Sequence, residues 1–178
     1  MRFEHTLGVS YTCQALAMRY GYDLDKAELA GLLHDCAKNL TNEKRLDICR
    51  KNNIPINAAE EKNPFLLHAK VGSYLAQKKY GISDREILDA ITYHTTGRPD
   101  MTVMDKIIYI ADYIEPGRSQ APGLPEVRRL AFTDLDDCLF RILGDTLDYL
   151  TASKMEIDEA TRQTYDYYKS LREQNTER

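Results

Sequence analysis

Hydrophobic side chains recur along this chain every three to four residues, which is the spacing of amphipathic helices, and no stretch alternates as a half-buried β-strand would. The pattern predicts helices that begin near residues 3, 25, 42, 65, 84, 103, 125, 134 and 158. Residues 56–64 are predicted to form a loop or a short turn, and 117–124 is the clearest loop because it combines Gly, Pro and Ser. The fold class indicated is all-α.

Residues that commonly cap helices support several of these helix starts. Thr41 and Thr102 are suited to cap the helices that follow them through their hydroxyl oxygens. The stretches Asp25–Glu28 and Ser83–Glu86 have the pattern of a capping box, in which an acid three residues after the cap bonds back to it. We therefore expect a helix to begin at each of these four places.

The length and composition indicate one folded domain. The chain has 178 residues, of which 43% are hydrophobic and 29% charged, as in ordinary globular proteins. We expect the domain to cover residues 1–172 and a polar tail to cover 173–178. No apolar run approaches the ~20 residues of a membrane helix, and the first residues lack the apolar segment of a signal peptide. A cytoplasmic protein that does not contact a membrane is predicted.

Charge and cysteine spacing restrict the kinds of ligand. The net charge of −4 argues against general nucleic-acid binding, because that function needs a basic surface. A local basic pocket for a small anionic ligand remains compatible with this charge. The cysteines are irregularly spaced and contain no CxxC pair, so we expect buried, reduced thiols rather than disulfides or a zinc site. They are Cys13, Cys36, Cys49 and Cys138.

The four histidines are the most informative residues for chemistry, and each is predicted in a different helix. His34 is followed by Asp35 in what we predict to be the middle of a helix. Buried imidazoles and carboxylates need partners, and a shared iron, manganese, zinc or cobalt ion would satisfy several at once. Asp112 adds a second carboxylate. Asp105, seven residues earlier on the same helical face, is the alternative unless it pairs with Thr102 as a capping acid.

The order of these residues resembles the HD-domain phosphohydrolase superfamily. The set is His5, His34, Asp35, His68, His94 and Asp112. The similarity extends to the YqeK-type members, which split diadenosine tetraphosphate symmetrically, and it is carried by residues 2–9, 30–38, 68–72, 90–97 and 106–118. In that family a further helical segment usually precedes the first histidine, so we expect weaker shielding of the site beside His5.

The resemblance implies a single-domain HD helical bundle with a dinuclear metal centre, with iron as the first candidate and manganese, cobalt or zinc as alternatives. One ion would be held by four residues, His5, His34, Asp35 and Asp112. Asp35 would bridge to a second ion, which His68 and His94 would also hold. The resemblance also implies a catalytic role for Asp35, His34 and Lys38.

Basic and hydroxyl side chains near these ligands are predicted to contact a polyphosphate. Lys38 lies one helical turn beyond His34, on the same predicted face. The other candidates are Thr95, Thr96, Gly97, Arg98 and Arg118. For each cation the alternative is a solvated surface position. The tyrosines of 165–168 could form a base-stacking platform, but their spacing favours packing against the bundle or a contact in a homodimer.

The resemblance implies a metal-dependent hydrolase that cleaves diadenosine tetraphosphate into two ADP, with hydroxide activated by two metal ions. Its partner is then a small nucleotide ligand. Two alternatives stay open. The same centre can act on another nucleotide, such as a mono- or diphosphate or a signalling nucleotide, or the protein can be a helical adaptor that retains a metal without catalysis.

Overall fold

The structure is a computed structural model that describes residues 2–176. Within that range the chain forms ten α-helices, one short 3₁₀ helix and no strand, which confirms the all-α prediction. None of the described helices is long and apolar enough to cross a membrane. The α-helices are α1 (Arg2–Tyr20), α2 (Leu24–Leu33), α3 (Asn42–Lys51), α4 (Ala58–Lys62), α5 (His68–Tyr80), α6 (Arg85–Tyr93), α7 (Val103–Ile114), α8 (Leu124–Ala131), α9 (Leu135–Ala152) and α10 (Glu159–Thr176), and the 3₁₀ helix is Pro64–Leu67.

The core is built around α7, which packs against α1, α6 and α9. Ile107, Ile108 and Ile110 on this helix are completely buried. Burying each such side chain contributes roughly 1.5–3 kcal/mol to stability. Asp112 belongs to the same helix, so a carboxylate is carried by the best-packed element of the molecule.

Close packing between α1 and α2 brings two histidines together. A Cβ on Gly31 would lie only 2.6 Å from Ser10 Cα, so a larger residue there would push the two helices apart. His5 lies near the start of α1, and His34 follows the last residue of α2. As a result, the two rings are 5.5 Å apart.

A smaller apolar cluster fixes the segment that follows α2. It consists of Ala37, Cys49, Leu67 and Val71, all fully buried. These residues join the turns after α2 to α3, the 3₁₀ helix and α5. The cluster therefore holds the segment that carries Asp35 against the helix that carries His68.

Thr41 and Thr102 cap α3 and α7, as predicted. The Thr102 hydroxyl accepts a hydrogen bond from Asp105 N, and the Asp105 carboxylate accepts one from Thr102 N, which completes a capping box. Asp105, the alternative to Asp112 as a metal ligand, is therefore engaged at the start of the helix.

The capping boxes predicted at Asp25–Glu28 and Ser83–Glu86 are wrong by one or two residues. Asp23 caps α2 and Asp84 caps α6, and each side chain accepts a hydrogen bond from a main-chain N–H of the first turn. A single aspartate with an extended backbone is a sufficient cap. Hydrophobic spacing does not distinguish it from the polar residues beside it.

The region 56–64 contains a short helix, α4, where the sequence predicted a loop or short turn. Asn57 and Glu60 form a capping box at its start. A five-residue helix is too short to show an apolar period, which is why it was missed. Pro64 then opens the 3₁₀ helix, so α5 begins at His68 and not near residue 65.

His34 and Asp35 do not lie in the middle of a helix, which corrects the sequence prediction. The helix ends at Leu33, His34 is its C-cap, and residues 34–39 form successive turns. Lys38 N bonds to Asp35 O, three residues back, at 2.9 Å. This spacing is tighter than that of an α-helix, so Lys38 is not carried on a continuous helical face with His34.

The tyrosines of the last helix pack against the bundle, as the spacing favoured. Tyr168 is buried, and its hydroxyl accepts a hydrogen bond from Met101 N at 3.0 Å. The Tyr165 ring stacks on Phe140 at a centroid distance of 5.1 Å. These contacts occupy the rings within the chain, as packing residues rather than a base-stacking platform.

Helix α10 continues to Thr176, past the predicted domain end at residue 172. The division into a domain of 1–172 and a tail of 173–178 stays a prediction. Residues 177 and 178 of that tail lie outside the described residues.

Candidate metal centre

Four imidazoles and two carboxylates meet at one place in the bundle. They are, in chain order, His5 in α1, His34 and Asp35 just after α2, His68 at the start of α5, His94 just after α6 and Asp112 in α7. Neighbouring imidazole rings lie 5.1–5.5 Å apart. The structure thus brings together all six residues that the sequence singled out as metal ligands.

Asp35 lies between two pairs of histidines. Its Oδ1 is 3.5 Å from His68 Nε2 and 3.6 Å from His94 Nε2. Its Oδ2 is 3.4 Å from His34 Nε2 and 3.7 Å from His5 Nε2. Because each oxygen faces its own pair of imidazoles, this one carboxylate has the geometry to serve two cations.

Asp112 adds the second carboxylate on the side of His5. Its Oδ1 lies 3.2 Å from His5 Nε2 and 4.0 Å from His34 Nε2. The same oxygen accepts a hydrogen bond from Arg118 Nη2 at 2.7 Å, and Arg118 Nε donates to the Asp112 carbonyl at 2.9 Å. A guanidinium group therefore borders the cluster of imidazoles and carboxylates.

Each imidazole is oriented by a hydrogen bond at Nδ1. In His34, His68 and His94 this nitrogen donates to the carbonyl oxygen three residues earlier, at 2.7 Å in each case. In His5 the partner is instead a carboxylate, since Nδ1 lies 3.1 Å from Glu115 Oε1. With Nδ1 engaged, Nε2 of every ring faces the shared space, which is the orientation of a metal-ligating histidine.

The cluster has the properties of a site for divalent cations. Three of its buried polar atoms have no hydrogen-bond partner: His5 Nε2, His34 Nε2 and Asp35 Oδ1. Leaving such atoms unpaired is costly, and a cation would supply the missing partner. Sets of three ligand atoms lie within 4.8 Å of one another. Imidazole nitrogen and carboxylate oxygen together suit first-row transition metals.

The electrostatics keep the carboxylates ionised. Burial acts to raise the pKa of Asp35, but the facing imidazoles of His34 and His94 outweigh it and hold that pKa well below its usual range. Burial likewise opposes ionisation of Asp112, and the facing imidazole of His5 outweighs it, so the pKa of Asp112 is also well below the usual range.

His68 and His5, on opposite sides of the cluster, differ in basicity. Burial, reinforced by the neighbouring His94, lowers the pKa of His68 to about 3. The neighbouring carboxylate of Asp112 raises the pKa of His5 above its ordinary value, against the opposing effect of burial. At neutral pH the Nε2 lone pair of His68 is therefore available to a cation without loss of a proton.

A cavity of about 440 Å³ borders the cluster on the side of Asp112. His94, Thr95, Asp112 and Arg118 form part of its wall. The Asp112 side chain is 20% exposed, whereas that of Asp35 is 3% exposed. The volume lies in the range of small-molecule sites, ~300–1,000 Å³, so a ligand can approach the cluster from this side.

Lys38 and Thr95 also lie at the cluster. Lys38 Nζ donates to Asp35 Oδ2 at 2.7 Å. Thr95 Oγ1 lies 3.3 Å from His68 Nε2 and 3.2 Å from His94 Nε2. Two of the predicted substrate-binding residues are therefore within reach of a group held by the cluster.

Three other residues predicted to bind substrate make their contacts elsewhere. Thr96 Oγ1 donates to the carbonyl of Gly97. Gly97 has a φ of 68°, and a Cβ there would lie 2.8 Å from the Thr164 side chain, so the close approach at this glycine is to α10. Arg98 donates twice to Asp105 Oδ2, at 2.9 and 2.7 Å. None of the three lines the cavity beside Asp112.

Sequence reasoning did not identify Glu115 and Arg128 as site residues. Glu115 is buried against His5. Arg128 donates to the carbonyls of Ile114, Glu115 and Arg118, and so holds the end of α7 and the start of the following loop. Both lie in an unremarkable local pattern, since an acid at a helix end and a basic residue on a short helix usually face solvent.

Known proteins are similar to this chain in sequence and in fold. Residues 2–117 match the family model described as HD domain. The chain is 44% identical to the protein named bis(5'-nucleosyl)-tetraphosphatase, symmetrical, of Bacillus subtilis, over 93% of this chain and 88% of that protein. A protein of the same name from Staphylococcus aureus is 38% identical, over 94% of this chain and 86% of that protein.

A solved structure is similar over almost the whole chain. It is the crystal structure of a predicted HD superfamily hydrolase involved in NAD metabolism, as its description reads, from Clostridium acetobutylicum. The TM-score is 0.93 at 41% identity, and the match covers 96% of this chain and 90% of that one. The family match at residues 2–117 contains all six residues of the cluster, and on these grounds the chain belongs to the HD domain family.

Proposed function

We propose that this protein is a metal-dependent hydrolase that cleaves diadenosine tetraphosphate symmetrically into two molecules of ADP. The observation that carries the proposal is the position of Asp35, whose two oxygens face two different pairs of imidazoles. The substrate and the symmetric products are supported by the names of relatives that are 38% and 44% identical over most of this chain.

The proposed centre is dinuclear. One divalent cation would be held by His5, His34, Asp35 and Asp112, and a second by Asp35, His68 and His94. Iron is the first candidate, and manganese, cobalt or zinc have compatible ligand preferences. When bound, such cations lower the pKa of water and neutralise charge on phosphoryl oxygens.

Side chains of the protein bind and orient the polyphosphate. Arg118 uses part of its guanidinium on Asp112, and its remaining N–H groups face the cavity as donors to phosphate oxygens. Lys38 adds a positive charge beside Asp35. Thr95 contributes a hydroxyl between His68 and His94. Together these groups supply positive charge and donors to the inner phosphates.

The symmetric products define the bond that breaks. Water oxygen bonds to the β-phosphorus of one half of the substrate, and the bond from that phosphorus to the oxygen bridging the two β-phosphorus atoms breaks. The bridging oxygen departs with the second ADP. One tetraphosphate and one water are thus consumed for two ADP formed.

Product analysis of the purified protein tests this proposal. The protein is prepared without oxygen, its metals are measured by elemental analysis, and diadenosine tetraphosphate is added with separation of the products by anion-exchange chromatography. We expect ADP as the only nucleotide product. ATP and AMP in equal amounts would contradict symmetric cleavage.

The same experiment separates the alternatives. A panel of nucleoside mono-, di- and triphosphates is assayed in parallel, and a much higher kcat/KM for one of these would move the substrate assignment to that nucleotide. Protein that retains metal and binds nucleotides but hydrolyses none would be a metal-containing adaptor, and the proposed activity would be rejected.

A further inference from the structure

One histidine of the cluster is oriented by a partner of a different kind. His34, His68 and His94 donate from Nδ1 to a neutral main-chain carbonyl three residues back. For His5 that carbonyl would be Arg2 O, which instead accepts a hydrogen bond from Thr6 Oγ1. His5 Nδ1 meets the carboxylate of Glu115, 110 residues later in the chain, at 3.1 Å.

The Glu115 carboxylate is itself held in place. Its Oε2 accepts a hydrogen bond from Gly117 N at 2.6 Å, and the side chain is only 5% exposed. The carbonyl of the same residue accepts hydrogen bonds from Arg128 Nη2 at 2.9 Å and Arg118 N at 3.0 Å. Main-chain and side-chain contacts therefore fix this residue at the end of α7.

Two glycines leave the space that this carboxylate occupies. A Cβ on Gly8 would lie 2.5 Å from Glu115 Oε2, and a Cβ on Gly117 would lie 3.0 Å from the same atom. Gly8 is one turn beyond His5 on α1, and its φ is not positive, so its use here is close packing and not backbone freedom. The start of α1 is thus shaped to receive the glutamate.

We infer that Glu115 is the positioning residue for His5. Its carboxylate accepts the Nδ1 proton, so that the Nε2 lone pair faces Asp112 Oδ1 at 3.2 Å and Asp35 Oδ2 at 3.7 Å. A carboxylate partner also makes the imidazole a stronger donor than a neutral carbonyl does. This role rests on the proposed function of the cluster as a metal centre. It means that Glu115 strengthens the binding of the cation that His5 would hold.

The substitution Glu115→Gln tests the inference with little change in shape. The amide has one acceptor oxygen, which can accept from either Gly117 N–H or His5 Nδ1–H but leaves the other position facing an NH₂ group. Loss of such an outer partner typically lowers metal affinity about 10- to 100-fold. In titrations of ion-free protein with Co²⁺, followed by calorimetry and by the visible absorption of bound cobalt, we expect the affinity of one of the two binding steps to fall by this factor and that of the other step to stay unchanged.

Glu60→Gln is the matched control. Glu60 is also buried, and its carboxylate also accepts a main-chain hydrogen bond at a helix terminus. It pairs with Lys70, outside the cluster. We expect this control to lower the melting temperature without changing either cobalt-binding step. If Glu115→Gln behaves like the control, with lower stability and unchanged cobalt affinities, Glu115 is structural and the inference is wrong.

A double-mutant cycle keeps the inference testable through a second route. If Glu115 acts through His5, adding Glu115→Gln to His5→Ala should cause no further loss of cobalt affinity, whereas an independent effect would add to that of His5→Ala. In addition, zinc-loaded wild-type protein should show a slowly exchanging Nδ1–H signal by nitrogen-15 NMR that His5→Ala removes. Absence of that signal would overturn the inference even if Glu115→Gln fails to fold.

The outcome also distinguishes this inference from the proposed function. Wild-type protein that binds no cobalt would reject the metal centre itself. Wild-type protein that binds cobalt with the same two affinities as Glu115→Gln would reject only the role of Glu115.

Discussion

The two halves of the metal-ligand cluster are built in different ways. His68 and His94 are buried, and each is oriented by a carbonyl three residues back in its own segment. His5 and Asp112 are partly exposed, and their partners are the side chains of Glu115 and Arg118. The first half thus depends on local backbone geometry. The second half contains His34, which is oriented in the same local way, and adds contacts between the beginning of the chain and the end of α7.

This difference indicates a division of tasks. His68 and His94 are buried and are oriented by hydrogen bonds within their own segments. They can therefore hold a cation without ordering distant parts of the chain. His94 and Asp112 both line the cavity, but Asp112 is the more exposed, so in the proposed function the polyphosphate would approach from the side of Asp112. Asp35 belongs to both halves, since each of its oxygens faces one of them.

The largest effect is expected from removing the residue that the halves share. Asp35→Ala should abolish retention of both ions and lower kcat/KM by roughly 10³-fold or more, because several kcal/mol of charge stabilisation depends on the cations. Elemental analysis and the ADP-release assay measure both quantities. Asp145→Asn is the control, since that carboxylate pairs with Arg141 on the surface of α9. Full activity in Asp35→Ala would exclude the dinuclear centre.

Substitution of one histidine from each half tests whether the halves are separable. His68→Asn removes the hydrogen bond from the buried His68 side chain to Phe65 O, which keeps the main-chain N–H of residue 68, and should cost about 0.5–1.5 kcal/mol in the free energy of unfolding. His5→Asn, on the partly exposed side, should cost less and should leave one ion bound. Urea denaturation and metal analysis of the two variants check this. Equal destabilisation and loss of both ions in each variant would show that the halves form one unit.

Arg118→Ala should weaken substrate binding without removing metal. Loss of a charge-assisted hydrogen bond costs about 1.5–3 kcal/mol, which corresponds to roughly 10- to 100-fold in kcat/KM. Arg118→Lys should recover part of the loss because it keeps the charge but not the two-pronged geometry. Arg98→Ala, which removes a guanidinium bound to Asp105, should change kcat/KM less than threefold. A larger effect of Arg98→Ala would indicate that Arg98 contributes to substrate binding.

The smallest effect concerns the reactivity of the cysteine thiols near the cluster. All four cysteines are free, as predicted, but only Cys13, Cys49 and Cys138 are buried, and Cys36 is partly exposed. Burial raises the pKa of Cys36, next to Asp35, to about 11, and raises that of Cys13 further. A raised pKa keeps the thiol protonated below that pH, so alkylation of Cys36 by iodoacetamide should be slow at pH 8 and faster as the pH approaches 11. Rapid labelling at pH 8, measured by mass spectrometry, would show that the turns after α2 open readily.

The helices and the set of metal-ligand candidates could be predicted because their signals are local. Apolar spacing marks α1 and α7 without any knowledge of their neighbours. The six candidate ligands were selected by residue type and by the resemblance to a family. Helix ends were less predictable, because Asp23 and Asp84 cap helices by backbone conformation that neighbouring polar residues could also have adopted.

Pairings between side chains could not be predicted in the same way. Arg98 follows the turn after His94 and was expected to meet phosphate, but Asp105 competes for it at 2.7 Å. Glu115 lies in the stretch 106–118 that carries the resemblance but was not singled out as a site residue, since its contact with His5 depends on the approach of α1 to the end of α7. Such contacts depend on the relative placement of helices, which no local pattern encodes.

The order of residue types along the chain determined an all-α protein whose histidines and aspartates can bind cations. Helix propensity and apolar periodicity act over a few residues and are therefore written in the chain itself. Tertiary packing decided which oxygen of Asp35 faces which imidazole, and that Arg118 rather than Arg98 borders the cavity. Those outcomes depend on distances of a few ångströms between segments far apart in sequence, and only the folded core sets such distances.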